Sequence, residues 1–176
     1  REECIATVRE AVDLGITLLD MAPSYGHGEA ESVVGAAFKG NLPSGIRVTT
    51  KHRLGETDPE KIEQNIRDGL DESLKRFQLE RVDLFFLHSN IIPHDFDASV
   101  FVTRPATRWW VYEEHFVPTC KKLVAEGKIG AWAITGIGVP ECLLAALDLD
   151  DKPAAVQCIS NLLDSPGDLK YFLGPS

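Results

Sequence analysis

The stretch GITLLDMAPSYGHGEAE, residues 15–31, decides the fold of this chain. Its apolar, partly β-branched residues 16–19 predict a short buried strand that stops at the acidic residue Asp20. A turn-rich loop with Tyr25 follows, and a helical pattern begins at Glu29, where the helix dipole favours acidic side chains. A strand that ends in an acid and leads into a loop tyrosine is typical of an active-site wall in a parallel α/β protein. The alternative is that Asp20 only caps the turn and Tyr25 only packs on the rim.

The composition is that of a single globular domain. The chain has 176 residues, of which 44% are hydrophobic and 26% charged, and this length is sufficient for a real core. A net charge of −9 weighs against a nucleic-acid partner, because sequence-independent binding needs a basic face. No apolar run reaches the length of a membrane span, so no membrane partner is expected. Four irregularly spaced cysteines without a CxxC pair predict buried free thiols in a reducing, cytoplasmic compartment: Cys4, Cys120, Cys142 and Cys158.

The rest of the chain alternates between predicted strands and predicted helices. Nearly all-apolar strands that alternate with helices indicate a parallel sheet buried on both faces. The predicted strands span residues 16–19, 46–50, 82–87, 129–134 and 154–159, and the predicted helices between them span 29–39, 59–77, 111–127 and 140–149. Residues 89–110 break this rhythm and are interpreted as a long functional loop. Its Trp109 and Trp110 are predicted to line a substrate pocket. Residues 160–176 are predicted to be loop with room for one helical turn.

Polar side chains stand at or near the end of each predicted strand. Because right-handed crossovers place the carboxyl ends of parallel strands on one rim, we expect five of them to converge: Asp20, Lys51, His88, Thr135 and Gln157.

Four residues of this region form a coherent acid–base set. A phenol is a poor acid at neutral pH, and a neighbouring ammonium group makes it a better one by stabilising the phenolate. Lys51 can supply that group to Tyr25 if Asp20 holds it by a charge-assisted hydrogen bond. His88 can then orient a carbonyl oxygen towards the tyrosine hydroxyl. The set therefore suits hydride addition to an aldehyde or a ketone, with the hydride supplied by a cofactor.

Four segments of the chain resemble the aldo-keto reductase superfamily: GITLLDMAPSYGHGEAESVVGAAFKG, RVTTKH, ESLKRFQLERVDLFFLH and LVAEGKIGAWAITGIG. The resemblance implies a (β/α)8 TIM barrel that reduces carbonyl compounds with NADPH, or with NADH. It implies that the catalytic tetrad is Asp20, Tyr25, Lys51 and His88, with Tyr25 as the acid. It also implies cofactor contacts near the nicotinamide from Asp20, Thr135, Gly136 and Gln157. Thr135 stands where the family often has serine, and Gly136 where it often has asparagine.

The barrel that the resemblance implies is incomplete in this chain. Five predicted strands match the family's second to sixth, whereas a complete barrel needs roughly 250 residues. The first, seventh and eighth strands have no counterpart, and the last two carry the loops that hold the 2′-phosphate and adenine of NADPH in the family. We therefore expect a single partial domain over residues 1–176 that comes from a longer reductase. A truncated protein with open sheet edges is the alternative, which leaves homo-oligomerisation open.

Two other functions stay open from the sequence. A metal-dependent hydrolase on the same barrel could use Asp20, Lys51 and His88 around a modified lysine. No His-x-His motif supports it, and the remaining histidines are scattered in a manner typical of surface or loop positions: His27, His52, His94 and His115. The other alternative is a reductase-like subunit that binds or regulates without turnover.

Overall fold

The computed structural model describes residues 1–55, 57–100 and 105–158. The strands in these ranges are β1 (Leu18–Asp20), β2 (Arg47–His52), β3 (Val82–Leu87), β4 (Asn90–Ile92), β5 (Ala106–Arg108), β6 (Ile129–Thr135) and β7 (Val156–Gln157). The helices are α1 (Glu2–Asp13), α2 (Glu29–Phe38), α3 (Ile62–Phe77), α4 (Trp109–Val111), α5 (Val117–Ala125) and α6 (Pro140–Asp148). A 3-10 turn, Pro59–Lys61, precedes α3, and the Asp58 side chain caps it by accepting from the Glu60 amide.

Within the described ranges, five strands form one parallel sheet in the order β1-β2-β3-β6-β7. Helices connect successive strands, so the prediction of parallel strands alternating with helices is confirmed. The sheet curls into part of a barrel, and all five strands direct their carboxyl ends to the same rim. The predicted strand-end residues lie at this rim: Asp20, Lys51, His88, Thr135 and Gln157.

Strand β1 is shorter and more exposed than the sequence indicates. It begins at Leu18 rather than at residue 16, and Ile16 and Leu18 are each about half exposed. The prediction of a buried strand is wrong in this respect because β1 lies at the edge of the described sheet, where it pairs with β2 alone. Hydrophobicity predicted the strand itself but could not tell an edge strand from a central one.

Residues 89–110 are more ordered than a loop. Strands β4 and β5 pair in parallel, and Ile91 also bridges to Gly138 after β6. The helix predicted from residue 111 begins at Trp109, and a π-helical turn, Tyr112–Phe116, joins α4 to α5. Strands of three residues are too short to show a hydrophobic period, so periodicity could not predict them. Residues 101–104 lie outside the described ranges, as do residues 159–176 with the predicted end of the last strand and the predicted helical turn.

The core fills the space between the sheet and the helices that cover it. From α3, the apolar stripe Ile62, Ile66, Leu70, Leu74 and Phe77 packs fully into it, as the spacing predicts. Side chains alternate along β2, so Val48 enters this core while Thr49 and Lys51 face the inside of the curled sheet. That alternation places the ammonium group of Lys51 at the site.

Candidate active site

Lys51 is the centre of the candidate site. Its side chain is 1% exposed, and its Nζ donates to Asp20 Oδ1 at 2.7 Å and to the Met21 carbonyl at 3.0 Å. Its third neighbour is Tyr25 Oη, 3.1 Å away. The ammonium group also lies 4.8 Å from the centroid of the Tyr25 ring. A buried ammonium group is tolerated only where such partners replace its water shell.

Asp20 accepts hydrogen bonds from three residues, two on β2 and one on β7. Thr49 Oγ1 donates to Oδ1 at 2.8 Å, and Gln157 Nε2 donates to Oδ2 at 2.8 Å, in addition to the bond from Lys51. Partial burial on its own would raise the pKa of the Asp20 carboxyl, but the bonds from Lys51, Gln157 and Thr49 outweigh it and hold the pKa below its ordinary value. Asp20 is therefore a fixed negative charge beside the lysine at neutral pH.

His88 follows β3 directly and is half-buried. Its backbone N–H donates to the His52 carbonyl at 2.7 Å. The next residue, Ser89, is buried and joins the β3 end to the segment after β2, since its Oγ bonds both the amide and the carbonyl of Leu54 at 3.0 Å. His88 lines a cavity of about 310 Å³ together with Lys51. The structure thus brings an imidazole and the lysine to one recess, beside a tyrosine that is 40% exposed.

His52 is not the surface histidine that the sequence predicts. Its ring packs on the helix side of β2, where its Nε2 lies 2.9 Å from Asn65 Oδ1. A Cβ at Gly69 would lie 2.3 Å from His52 Nδ1, so a larger residue at this position would prevent the close approach of α3 to the ring. Burial lowers the pKa of His52 below the ordinary histidine value. The signal that the sequence offered, a histidine inside a strand, is too common to indicate this packing.

Apart from Asp20, the residues predicted to contact a nicotinamide lie at the ends of β6 and β7. Thr135 Oγ1 donates to the Leu87 carbonyl at 3.0 Å, and the Gly136 amide donates to the Gln157 carbonyl at 2.9 Å. Gly136 has no room for a side chain, because a Cβ there would lie 2.6 Å from Cys158 Sγ. Gln157 is exposed and its side-chain amide is held against Asp20. The side-chain amide of Gln157 has a donor and an acceptor that match those of a carboxamide. The donors of Thr135 and Gly136 are already used in hydrogen bonds within the protein.

Trp109 and Trp110 line a different cavity. Its volume is about 510 Å³, and Glu114, Glu141 and Cys142 also contribute to its wall. This cavity has no lining residue in common with the cavity at Lys51 and His88. The substrate-binding role of the two tryptophans therefore stays a prediction.

Sequence reasoning missed a buried carboxylate behind the site. Glu31, which helix-dipole logic places in the exposed first turn of α2, is 0% exposed. It accepts hydrogen bonds from Thr50 Oγ1 at 2.5 Å and from Arg76 Nε at 2.6 Å. Gly28, at a φ of +87°, ends the tyrosine loop, and a Cβ there would lie 2.8 Å from Arg76 Cδ. Arg76 lies 45 residues from Glu31, so no local pattern could have paired them.

Among the described residues, no group of three His, Cys, Asp or Glu side chains is arranged to hold a metal ion. In the same part of the chain, no helix has both the length and the apolar character needed to cross a membrane.

Comparisons with known proteins agree with this fold. The sequence profile of the Aldo/keto reductase family matches residues 1–171. The chain is similar to L-galactose dehydrogenase of Arabidopsis thaliana, with 33% identity over 138 residues, which is 77% of this chain and 39% of that protein. A methylglyoxal reductase of Escherichia coli is 27% identical over 92% of this chain and 47% of its own length. An aldo-keto reductase of Klebsiella pneumoniae, solved in complex with NADPH, superposes with a TM-score of 0.71 and 26% identity over 98% of this chain and 52% of that one.

The chain spans about half the length of these relatives or less. Their fold is the one that the curled parallel sheet indicates, and the profile match extends over nearly all of the chain. On this evidence the chain belongs to the aldo/keto reductase family and contains part of its TIM barrel.

Proposed function

We propose that this chain carries the catalytic tetrad of an NADPH-dependent reductase that converts an aldehyde or a ketone into an alcohol. The observation that carries the proposal is the position of one ammonium group: Lys51 Nζ bonds both the carboxylate of Asp20 and the hydroxyl of Tyr25. In that arrangement a phenol beside a buried positive charge is a suitable proton donor. Because the chain spans about half the length of its relatives, the activity of the whole protein is part of the proposal.

Tyr25 has the role of the acid. Its Oη gives its proton to the carbonyl oxygen as that oxygen gains negative charge, and the nearby ammonium of Lys51 stabilises the phenolate that remains. The tyrosine then regains a proton from solvent, which its exposure allows. Asp20 holds the Lys51 side chain in place through a hydrogen bond of 2.7 Å.

His88 has the role of orienting the substrate. It lies at the recess that Lys51 also lines, so a carbonyl oxygen held by its imidazole is directed towards the tyrosine hydroxyl. The substrate class is a small carbonyl compound, in keeping with the methylglyoxal reductase among the relatives.

Gln157, beside Asp20, is the residue best placed to bind the carboxamide of the nicotinamide ring. The nicotinamide nucleotide supplies the hydride when it is bound. Thr135 Oγ1 can accept a hydrogen bond from the same carboxamide. Gly136 has no side chain that would fill the space after β6. NADPH is the proposed cofactor because the Klebsiella pneumoniae relative was solved with it. NADH is the alternative, since another relative of Escherichia coli is an NADH-specific methylglyoxal reductase.

The experiment is to replace Tyr25 by Phe, which removes the proton donor and keeps the ring. Carbonyl reduction, measured as kcat/KM, should fall by roughly 10²-fold or more, while NADPH binding changes little. Tyr112→Phe is the matched control, because it deletes a hydroxyl buried in the core. Wild-type rates in Tyr25→Phe would contradict the assignment, and cofactor binding without any turnover in the wild type would favour the regulatory subunit.

A further inference from the structure

The proposed proton transfer assigns no role to the residues that line the cavity at Trp109 and Trp110. Its wall combines two indole rings with two carboxylates, Glu114 and Glu141, and with the small apolar surface of Cys142. Among the described residues, its lining includes one histidine, His94, and no lysine or arginine. Burial, with a smaller contribution from Glu141, raises the pKa of the Cys142 thiol, so this group is neutral at physiological pH. The cavity wall therefore combines aromatic rings with negative charge.

The two rings are held in place by neighbouring aromatic groups. Trp110 meets the ring of His115 edge-on, with 5.4 Å between centroids, and Trp109 lies 5.5 Å from the ring of Tyr112. Trp110 and His115 are five residues apart, a spacing that a π-helical turn places on one face. Such turns are rare and often occur at functional sites. Here the turn fixes one wall of the cavity before any ligand arrives.

The carboxylates come from two different helical segments. Glu114 belongs to the π-helical turn and Glu141 to the first turn of α6, and both are exposed. Arg108 precedes the tryptophans, but its guanidinium donates to the carbonyls of His94 and Phe96 and does not line the cavity. Among the charged residues lining the cavity, the fixed charges are thus of one sign.

We infer that this cavity binds a small organic cation whose positive head carries alkyl groups, such as a trimethylammonium group. An alkylated ammonium is attracted to the faces of aromatic rings, and it needs no hydrogen-bond acceptor, because it has no N–H. The carboxylates of Glu114 and Glu141 add charge complementarity at the mouth. This inference concerns binding and does not rest on the proposed reduction.

The test compares choline with 3,3-dimethylbutan-1-ol, which has the same shape but carbon in place of the charged nitrogen. Each is titrated into ¹⁵N-labelled protein while the indole N–H signals of the three tryptophans are followed by NMR. We expect choline to shift the signals of Trp109 and Trp110 and to leave that of Trp132 in place. The neutral alcohol should bind roughly 2- to 30-fold more weakly, because it lacks the cation–π attraction. Equal affinities would overturn the inference.

Variants of the two carboxylates and of Trp110 test whether these residues bind choline. Glu114→Gln and Glu141→Gln should each weaken choline binding severalfold, whereas Glu113→Gln, a change of the same chemistry at the neighbouring exposed residue, should not. Trp110→Leu should weaken it as well while the Trp132 signal reports an intact fold. An unchanged affinity in both glutamine variants and in Trp110→Leu would place the binding elsewhere and contradict the site.

Two sources of such a cation can be distinguished by kinetics. If the head group belongs to the distal end of a carbonyl substrate, choline should inhibit reduction of that substrate competitively. If it belongs to a separate small molecule, choline should leave the KM of the carbonyl substrate unchanged. Failure of Tyr25→Phe to reduce activity would contradict the proposed reaction alone, whereas the binding titration tests the cavity alone.

Discussion

Asp20 and Gln157 are joined by a hydrogen bond of 2.8 Å although 137 residues separate them in the chain. They end β1 and β7, the two edge strands of the five-stranded sheet. Edge strands of a flat sheet of this width would lie far apart, since neighbouring strands are about 4.8 Å apart. The bond therefore shows how strongly the sheet curls, and it places the amide of one edge against the carboxylate of the other.

The first prediction concerns the pH dependence of stability through Asp20. Its folded pKa lies below the ordinary value of 3.8, so its contribution to stability is complete above that pH and is lost as the pH falls through the folded pKa. Asp20→Asn should therefore destabilise the protein at pH 7, and the difference from wild type should shrink near pH 3. Urea unfolding at both pH values measures this, with the exposed Asp71→Asn as control. A difference that grows at low pH would contradict the sign.

The second prediction concerns the buried carboxylate of Glu31. Arg76→Met should lower the free energy of unfolding by roughly 3–5 kcal/mol, because it leaves a buried charge without its cation. The double variant Glu31→Gln with Arg76→Met should recover much of this loss. Arg67→Met, which breaks ion pairs with the more exposed Glu63 and Glu126, should cost about 1 kcal/mol or less. Equal losses for the two arginine variants would mean that burial of the partner is irrelevant.

The third prediction concerns Trp110 as part of a substrate pocket. Replacing it by Ala should change the order of preference among carbonyl substrates more than it changes the Kd for NADPH. The physical reason is that its ring lines a cavity away from Gln157 and Asp20. Steady-state kinetics with a panel of neutral and cationic aldehydes would measure this order. Uniform losses across the panel would indicate that the ring only supports the fold.

The fourth prediction concerns the open edge of the sheet. Leu14, Ile16 and Leu18 are all at least half exposed around β1. A protein that consists of residues 1–176 alone should therefore self-associate, and Leu18→Lys should reduce this by placing a charge on the edge. Leu144→Lys, at an exposed position on α6, is the control for a general loss of hydrophobic surface. Sedimentation velocity distinguishes the two, and equal effects would show that the edge is not the contact.

The sequence predicted the rim residues well because chemistry and topology agree there. Apolar strands that end in Asp20, Lys51 and His88 leave few arrangements once the crossovers are right-handed. The hydrogen bonds of Lys51 to Asp20 and Tyr25 then follow from opposite charge and proximity. The catalytic and cofactor roles of these residues stay predictions until the variants are measured.

The sequence could not predict contacts that depend on distant elements. The partnership of Glu31 with Thr50 and Arg76 joins α2, β2 and α3, and each residue alone is typical of a solvated surface. The short pair β4 and β5 and the π-helical turn carry no periodic signal. The exposure of β1 depends on which strand lies next to it, and the residues of β1 alone do not indicate its neighbour.

The contact between Gly28 and Arg76 ties the loop that carries Tyr25 to the outer layer of the barrel. The arginine comes from the last turn of α3, passes directly behind the glycine and ends on the buried Glu31. The proposed proton donor is thus supported from outside the barrel as well as from Lys51 within it. We therefore expect substitutions of Arg76 on α3 to shift the Tyr25 hydroxyl and to lower activity, although Arg76 is not one of the four proposed catalytic residues.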